Sequence, residues 1–257
     1  VTISYHGNSV VQAGRVNLSY TGNEDTSPTS VTVTGALGEI KTYQFDAFGS
    51  QGTANPFHVS KSNNNGLGTD ETVYNRDATP VTGCLNPGSG DWRVCRRRDR
   101  EGSWTNYFYQ GATLNRVVVE NGADTRTTVT EWETAWHQPK ARYVCRGNLS
   151  ETACKEAAWP VLESLETTVY NNGRRMARCN YDVRESSARP VSIPCTETAE
   201  VPSALVRQTR YEYCGVNGVP SGTACPVGFL KRIDGPRLGA GDSTTFDYRS
   251  SQGAGLV

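Results

Sequence analysis

Alternation of apolar and polar side chains every second residue dominates this chain. Val16, Leu18 and Tyr20 share one side while Arg15, Asn17 and Ser19 share the other. Tyr43 and Phe45 fall together, as do Thr105, Tyr107 and Tyr109 against Asn106 and Phe108. A period of two is the signature of a strand, because successive side chains leave opposite faces of a sheet. The pattern predicts further strands over 114–120, 125–133, 165–171, 177–181, 206–213, 229–233 and 244–249. Tyr211 and Tyr213 oppose Arg210 and Glu212, and Phe246 and Tyr248 oppose Asp247 and Arg249. One face is aromatic and aliphatic, the other charged, as in an antiparallel sheet with a single buried side.

Turn-forming clusters separate these stretches, notably 61–68 with its Asn63-Asn64-Asn65 run. Asp46-Ala47-Phe48-Gly49 reads as a turn. Only 151–165 hints at a helix, and Pro160 limits it to a short turn or helix after Cys154. No long linker or break in composition divides residues 1–257, so the pattern predicts one continuous sheet system. Composition supports an all-β chain: 26 Gly and 12 Pro stand beside a single Met. No stretch approaches the ~20 apolar residues of a membrane-spanning helix. With 26 basic and 26 acidic residues the formal net charge is zero. That balance argues against nucleic acid or an anionic membrane as the main partner, since both are bound through excess positive charge.

The eight cysteines are Cys84, Cys95, Cys145, Cys154, Cys179, Cys195, Cys214 and Cys225. An even count in a hydrophilic chain favours disulfides and an oxidising, extracellular compartment. Their spacing groups them as neighbours, 84 with 95, 145 with 154, 179 with 195 and 214 with 225. Each interval is rich in turn residues, so four local bridges are expected, each closing a loop or hairpin tip; buried reduced thiols are the alternative. No C-x-x-C occurs, and His6, His58 and His137 lie far from any cysteine pair, so no metal site is expected. His137, before Pro139, reads as a loop residue.

Beneath the alternation lies a repeat. Gly38-Glu39-Ile40-Lys41-Thr42-Tyr43-Gln44-Phe45-Asp46-Ala47-Phe48-Gly49 has the form glycine, strand, Tyr-x-aromatic-Asp, two residues, glycine. Weaker echoes are Tyr170–Arg175, Tyr181-Asp182, Tyr211-Glu212-Tyr213-Cys214-Gly215 and Phe246-Asp247-Tyr248. These stretches resemble the tyrosine–aspartate (YD) repeat of the RHS family, as found in proteobacteria. Residues 38–49 and 209–249 carry the likeness most tightly; Cys214 stands where one repeat's aspartate would fall. The resemblance implies antiparallel hairpins laid side by side into a curved, spiralling sheet, a segment of a shell that in the family commonly encloses a C-terminal toxin. Units of this kind bury their aromatic faces collectively rather than singly.

The function expected on this basis is structural and non-enzymatic: a section of a secreted or cell-surface bacterial RHS shell, enclosing or presenting another part of its own polypeptide. The partners expected are that remainder of the polypeptide, an enclosed toxin among them, and edge-to-edge association with another copy. The chain reads as a segment of a longer protein. No cofactor and no catalytic residue are expected, because no H-E-x-x-H, G-x-S-x-G or P-loop pattern occurs. An alternative is a carbohydrate- or surface-binding adhesin on the same repeats, with Trp132 and Trp136 as glycan contacts. A glycosidase reading rests on the carboxylate pairs Glu131–Glu133, on one face of a strand about 7 Å apart, and Asp182–Glu185. Trp92, Trp104 and Trp159 read as core or hairpin packing. Arg96-Arg97-Arg98-Asp99-Arg100 reads as a solvated run offset by Asp99 and Glu101.

Overall fold

A computed structural model of the chain describes residues 4–5, 16–23, 27–35, 39–46, 58–64, 68–74, 93–184, 194–197, 201, 205–236 and 241–248. It is almost entirely antiparallel β-structure, an open sheet in which hydrogen bonding follows chain order. The strands are β1 (Ser4–Tyr5), β2 (Val16–Asn23), β3 (Ser27–Thr34), β4 (Ile40–Asp46), β5 (His58–Asn64) and β6 (Thr69–Tyr74). They continue with β7 (Val94–Arg98), β8 (Trp104–Gln110), β9 (Thr113–Asn121), β10 (Asp124–Trp132) and β11 (Pro139–Arg146). After the helix α1 (Glu151–Glu156) come β12 (Leu162–Asn171), β13 (Arg174–Tyr181), β14 (Val206–Tyr213), β15 (Leu230–Asp234) and β16 (Ser243–Thr245). The chain packs as two compact units, Val1–Phe108 with Val118–Ala123, and Tyr109–Val117 with Asp124–Val257.

In the first unit Arg96 lies over the Trp104 ring at 3.9 Å and reaches Glu120 at 3.4 Å. Arg100 pairs with Asp70 at 2.9 Å. Asp99 is otherwise engaged: its Oδ1 accepts the backbone N–H groups of Glu101 and Ser103 at 3.0 and 2.8 Å, shaping the turn between β7 and β8. The arginine run is therefore a strand offset by distant carboxylates, not by its own Asp99.

In the second unit one sheet face forms the core. Val129 of β10 aligns with Tyr143 of β11, Leu165 of β12, Tyr181 of β13 and Val206 of β14. All five are buried. A single sheet has nothing of its own to cover such a face, and apolar area left in water costs about 25 cal/mol per Å². The covering comes from the chain between strands: Leu149, Ala157, Val183, Val201 and Cys195 pack against the same cluster.

Several expectations need correction. The helix does not follow Cys154 but contains it, because Ser150 sets its start by accepting the Ala153 N–H at 3.1 Å. The Asn63-Asn64 stretch belongs to β5, where pairing with β4 and β6 overrides weak strand propensity. β16 stops at Thr245, and Tyr248 instead bonds the Ala224 carbonyl through its N–H at 3.1 Å and the Leu230 carbonyl through its hydroxyl at 2.7 Å.

Candidate functional site

The disulfides show how the covering loops are held. Cys145 is joined to Cys154, Cys179 to Cys195 and Cys214 to Cys225, with Cα–Cα distances of 5.8, 5.8 and 5.5 Å. Cys95 is also disulfide-bonded, and Cys84 lies outside the described residues. The bridges that are described pair sequence neighbours, but two do not close hairpin tips. Cys145 projects from β11 and Cys179 from β13, both inward and fully buried. Cys154 stands on α1, and Cys195 lies in the segment between β13 and β14. Each of these bridges ties the core face of a strand to the loop lying over it. Cys214–Cys225 closes the excursion between β14 and β15.

Hydrogen bonds reinforce the same attachment. The buried Thr127 hydroxyl donates to the Gly147 carbonyl at 2.6 Å and accepts the Leu149 N–H at 3.0 Å. Buried Gln208 accepts the Val201 N–H at 2.8 Å and donates to the Thr196 carbonyl at 2.6 Å. Each side chain satisfies a loop backbone group that burial would otherwise strand, at a cost of about 1–3 kcal/mol.

Of the repeat residues, Tyr181 is buried in the core, where its hydroxyl shares a hydrogen bond with Thr167 at 3.1 Å. Asp182 accepts the Arg184 N–H at 3.1 Å, so this aspartate shapes the turn after its strand. Tyr211 and Tyr170 both hydrogen-bond Arg175, and Tyr211 and Tyr213 line a cavity of about 160 Å³ with Met176 and Val216. Asp247 pairs with Lys231 at 2.6 Å, and the Tyr248 ring meets Phe229 edge-on at 4.9 Å. Tyr43, Phe45 and Asp46 fall within β4, while Gly38 and Gly49 lie outside the described residues.

Burial pushes the Tyr181 hydroxyl above its ordinary value of 10.0, partly countered by Thr167 and the Cys195 backbone. A neutral Tyr181 thus contributes stability that is complete below about pH 10, where the unfolded chain's tyrosine is also neutral, and lost as pH rises through the folded value. The urea midpoint should fall through this alkaline window, and Tyr181→Phe should flatten the fall. An equal slope in both proteins would assign the alkaline loss elsewhere.

The candidate glycan contacts differ from one another. Trp132 is half-buried, its Nε1–H donating to the Leu114 carbonyl at 3.0 Å, whereas Trp136 is 56% exposed and lies across Gly173. Trp104 sits beneath Arg96; Trp159 is 42% exposed with Arg184 at 5.5 Å from its ring; Trp92 lies outside the described residues.

The carboxylate pairs do not form a matched acid and base. Glu133 lies beyond β10, which ends at Trp132. Glu131 pairs with Lys155 at 3.0 Å, while Glu133 accepts the N–H groups of Ala135 and Trp136 at 3.0 and 2.7 Å. Glu185 lies outside the described residues. His137 is a loop residue with φ 50, and no cluster of three or more His, Cys, Asp or Glu able to hold a metal occurs among the described residues.

The other face of the β10–β14 sheet carries many charged side chains. Register places Thr130, Arg142, Glu166, Asn180 and Arg207 in one row across five strands. Glu166 is paired with Arg178, and Glu163 binds Arg126 at 3.2 Å and Arg146 at 3.1 Å. At the β13–β14 end opens a cavity of about 290 Å³ lined by Glu163, Asn180, Tyr181, Asp182, Val183, Arg184 and Arg207.

No protein-family model matches the chain, and no curated protein does. Nineteen chains of solved structures match, among them one in the crystal structure of TcdB2-TccC3-Cdc42. That match is 13% identical with a TM-score of 0.51, and it covers 94% of this chain but 10% of the other. At this identity the likeness is one of fold, and the chain spans about a tenth of the length of that solved chain.

Proposed function

We propose that the chain is a structural section of an RHS-type β-shell in a secreted or cell-surface bacterial protein, which encloses or presents another part of the same polypeptide. The observation that carries this reading is a sheet whose strands add antiparallel in chain order, with one face lidded by its own disulfide-pinned loops. Such a sheet extends by repetition, as walls built of serial units do. The YD-like segments and the fold shared with TcdB2-TccC3-Cdc42 support it, and the bridges suit an oxidising compartment. Among the described residues no helix is long and apolar enough to cross a membrane. The reading assigns no reaction to the chain: its role is to hold and to cover.

Protease protection tests it. The complete polypeptide containing this sequence is treated with a broad-specificity protease under native, oxidising conditions. Any segment outside the repeats that the shell encloses should survive far longer than the same segment expressed alone. Equal digestion rates, with the repeat sheet itself intact, would remove the enclosure reading.

A further inference from the structure

The charged face of the second unit combines built ion pairs with cations that have none. Asp124, Glu163 and Glu166 are all engaged, with Arg126, Arg146 and Arg178. Lys140, Arg142 and Arg207 are exposed and have no carboxylate partner among the described residues. The whole chain is neutral, so this is a segregated patch rather than a reflection of composition.

Arg142 and Arg207 stand at opposite ends of the row through Glu166 and Asn180, three strand steps apart. At a strand spacing of about 4.8 Å the separation is about 14 Å, close to four residues of extended chain at about 3.4 Å each. Arg207 also lines the 290 Å³ cavity with Arg184 and the Asn180 amide. Of that cavity's two acids Glu163 is paired with two arginines, while Asp182, hydrogen-bonded to the Arg184 N–H, keeps its charge beside Arg184 and Arg207. It has room for a side chain or two, being at the small end of ligand pockets.

We infer that this face is a docking surface for an acidic, extended polypeptide, with one carboxylate entering the Arg184–Asn180–Arg207 cavity and another about four residues away meeting Arg142. Discrete cations interleaved with carboxylates suit separated acids; a nucleic acid's unbroken line of phosphates would meet Asp124, Glu163 and Glu166 as repulsion. The inference does not depend on the shell reading, because it concerns only this face and its charges.

The test uses the oxidised chain and three fluorescent probes: a Gly/Ser peptide with aspartate at every fourth position, its lysine counterpart, and an oligothymidylate of equal charge. Anisotropy at low salt should show binding of the aspartate peptide, weakened by added salt. Arg142→Glu with Arg207→Glu should weaken it about tenfold or more, since each replaces attraction by repulsion. Arg97→Glu with Arg98→Glu, exposed in the other unit, should leave it unchanged. Circular dichroism checks folding, and Arg142→Gln with Arg207→Gln carries the test if the reversal variant unfolds. Absence of aspartate-peptide binding, affinity indifferent to both Arg142/Arg207 variants, or tighter binding of the oligothymidylate would overturn the inference.

Discussion

Replacing Cys145 and Cys154 together by alanine should lower unfolding stability by about 2–5 kcal/mol, the usual loss for a native bridge. Closure of a loop of about ten residues accounts for roughly 3 kcal/mol of that in the chain-entropy account. The rest comes from what the bridge holds in place. Both sulfurs are fully buried, and α1 and the segment after it lie over Val129, Leu162 and Leu165. Thr127 still grips Gly147 and Leu149, and Arg116 donates to the Leu149 carbonyl at 2.6 Å, so the loop should loosen rather than depart. Cys214→Ala with Cys225→Ala removes a loop of similar length, with separation 11 against 9, but Ser221–Ala224 above it is exposed. Its cost should therefore stay near the entropic part. Urea unfolding of both variants gives the comparison. Identical midpoints for the Cys145/Cys154 variant and the parent would mean that the bridge pins nothing.

That contrast marks where sequence reasoning reached and where it stopped. β14 is legible in its bounds, Val206–Tyr213, but not in its faces, since Val206 and Gln208 lie on one side and Tyr211 and Tyr213 on the other. β11 carries a strand signal in Ala141, Tyr143 and Cys145, but counting Cys145 as a loop staple hid it. A cysteine can serve both roles, as a strand's buried residue and as the anchor of what covers it. β5 and β6 are illegible for another reason: His-Val-Ser-Lys-Ser-Asn-Asn and Thr-Asp-Glu-Thr-Val-Tyr hold their place through the strands on either side. Register shifts leave one extra residue in each of β11, β12 and β13, Lys140, Glu163 and Met176, which disturbs the side-chain alternation at those points. No periodicity count anticipates that. The placement of Arg142 and Arg207 escapes the sequence altogether, since they come onto one row only through pairing across β12 and β13.

Leu165→Ala should cost about 2–5 kcal/mol, the range for truncating a buried leucine, whereas Val119→Ala at a 40% exposed position should stay within about 0.5 kcal/mol. Leu165 is 1% exposed and sits in register between Tyr143 and Tyr181 at the centre of the buried row. The size of the loss within that range depends on whether the surroundings can close over the space left behind. Hydrogen-bonded strands cannot shift sideways without breaking the ladder, so collapse has to come from the covering loops. Those loops are pinned by Cys145–Cys154 and Cys179–Cys195, which holds the cavity open and pushes the loss toward the upper end. Cutting the Cys145–Cys154 bridge frees α1 to settle, so Leu165→Ala in that background should cost less than in the parent. A double-mutant cycle in urea should therefore return a coupling of about 0.5–3 kcal/mol with this sign. Strict additivity would place Leu165 under a cover that the bridge does not control, and a loss below about 1 kcal/mol for Leu165→Ala alone would mean that the sheet face is not the core.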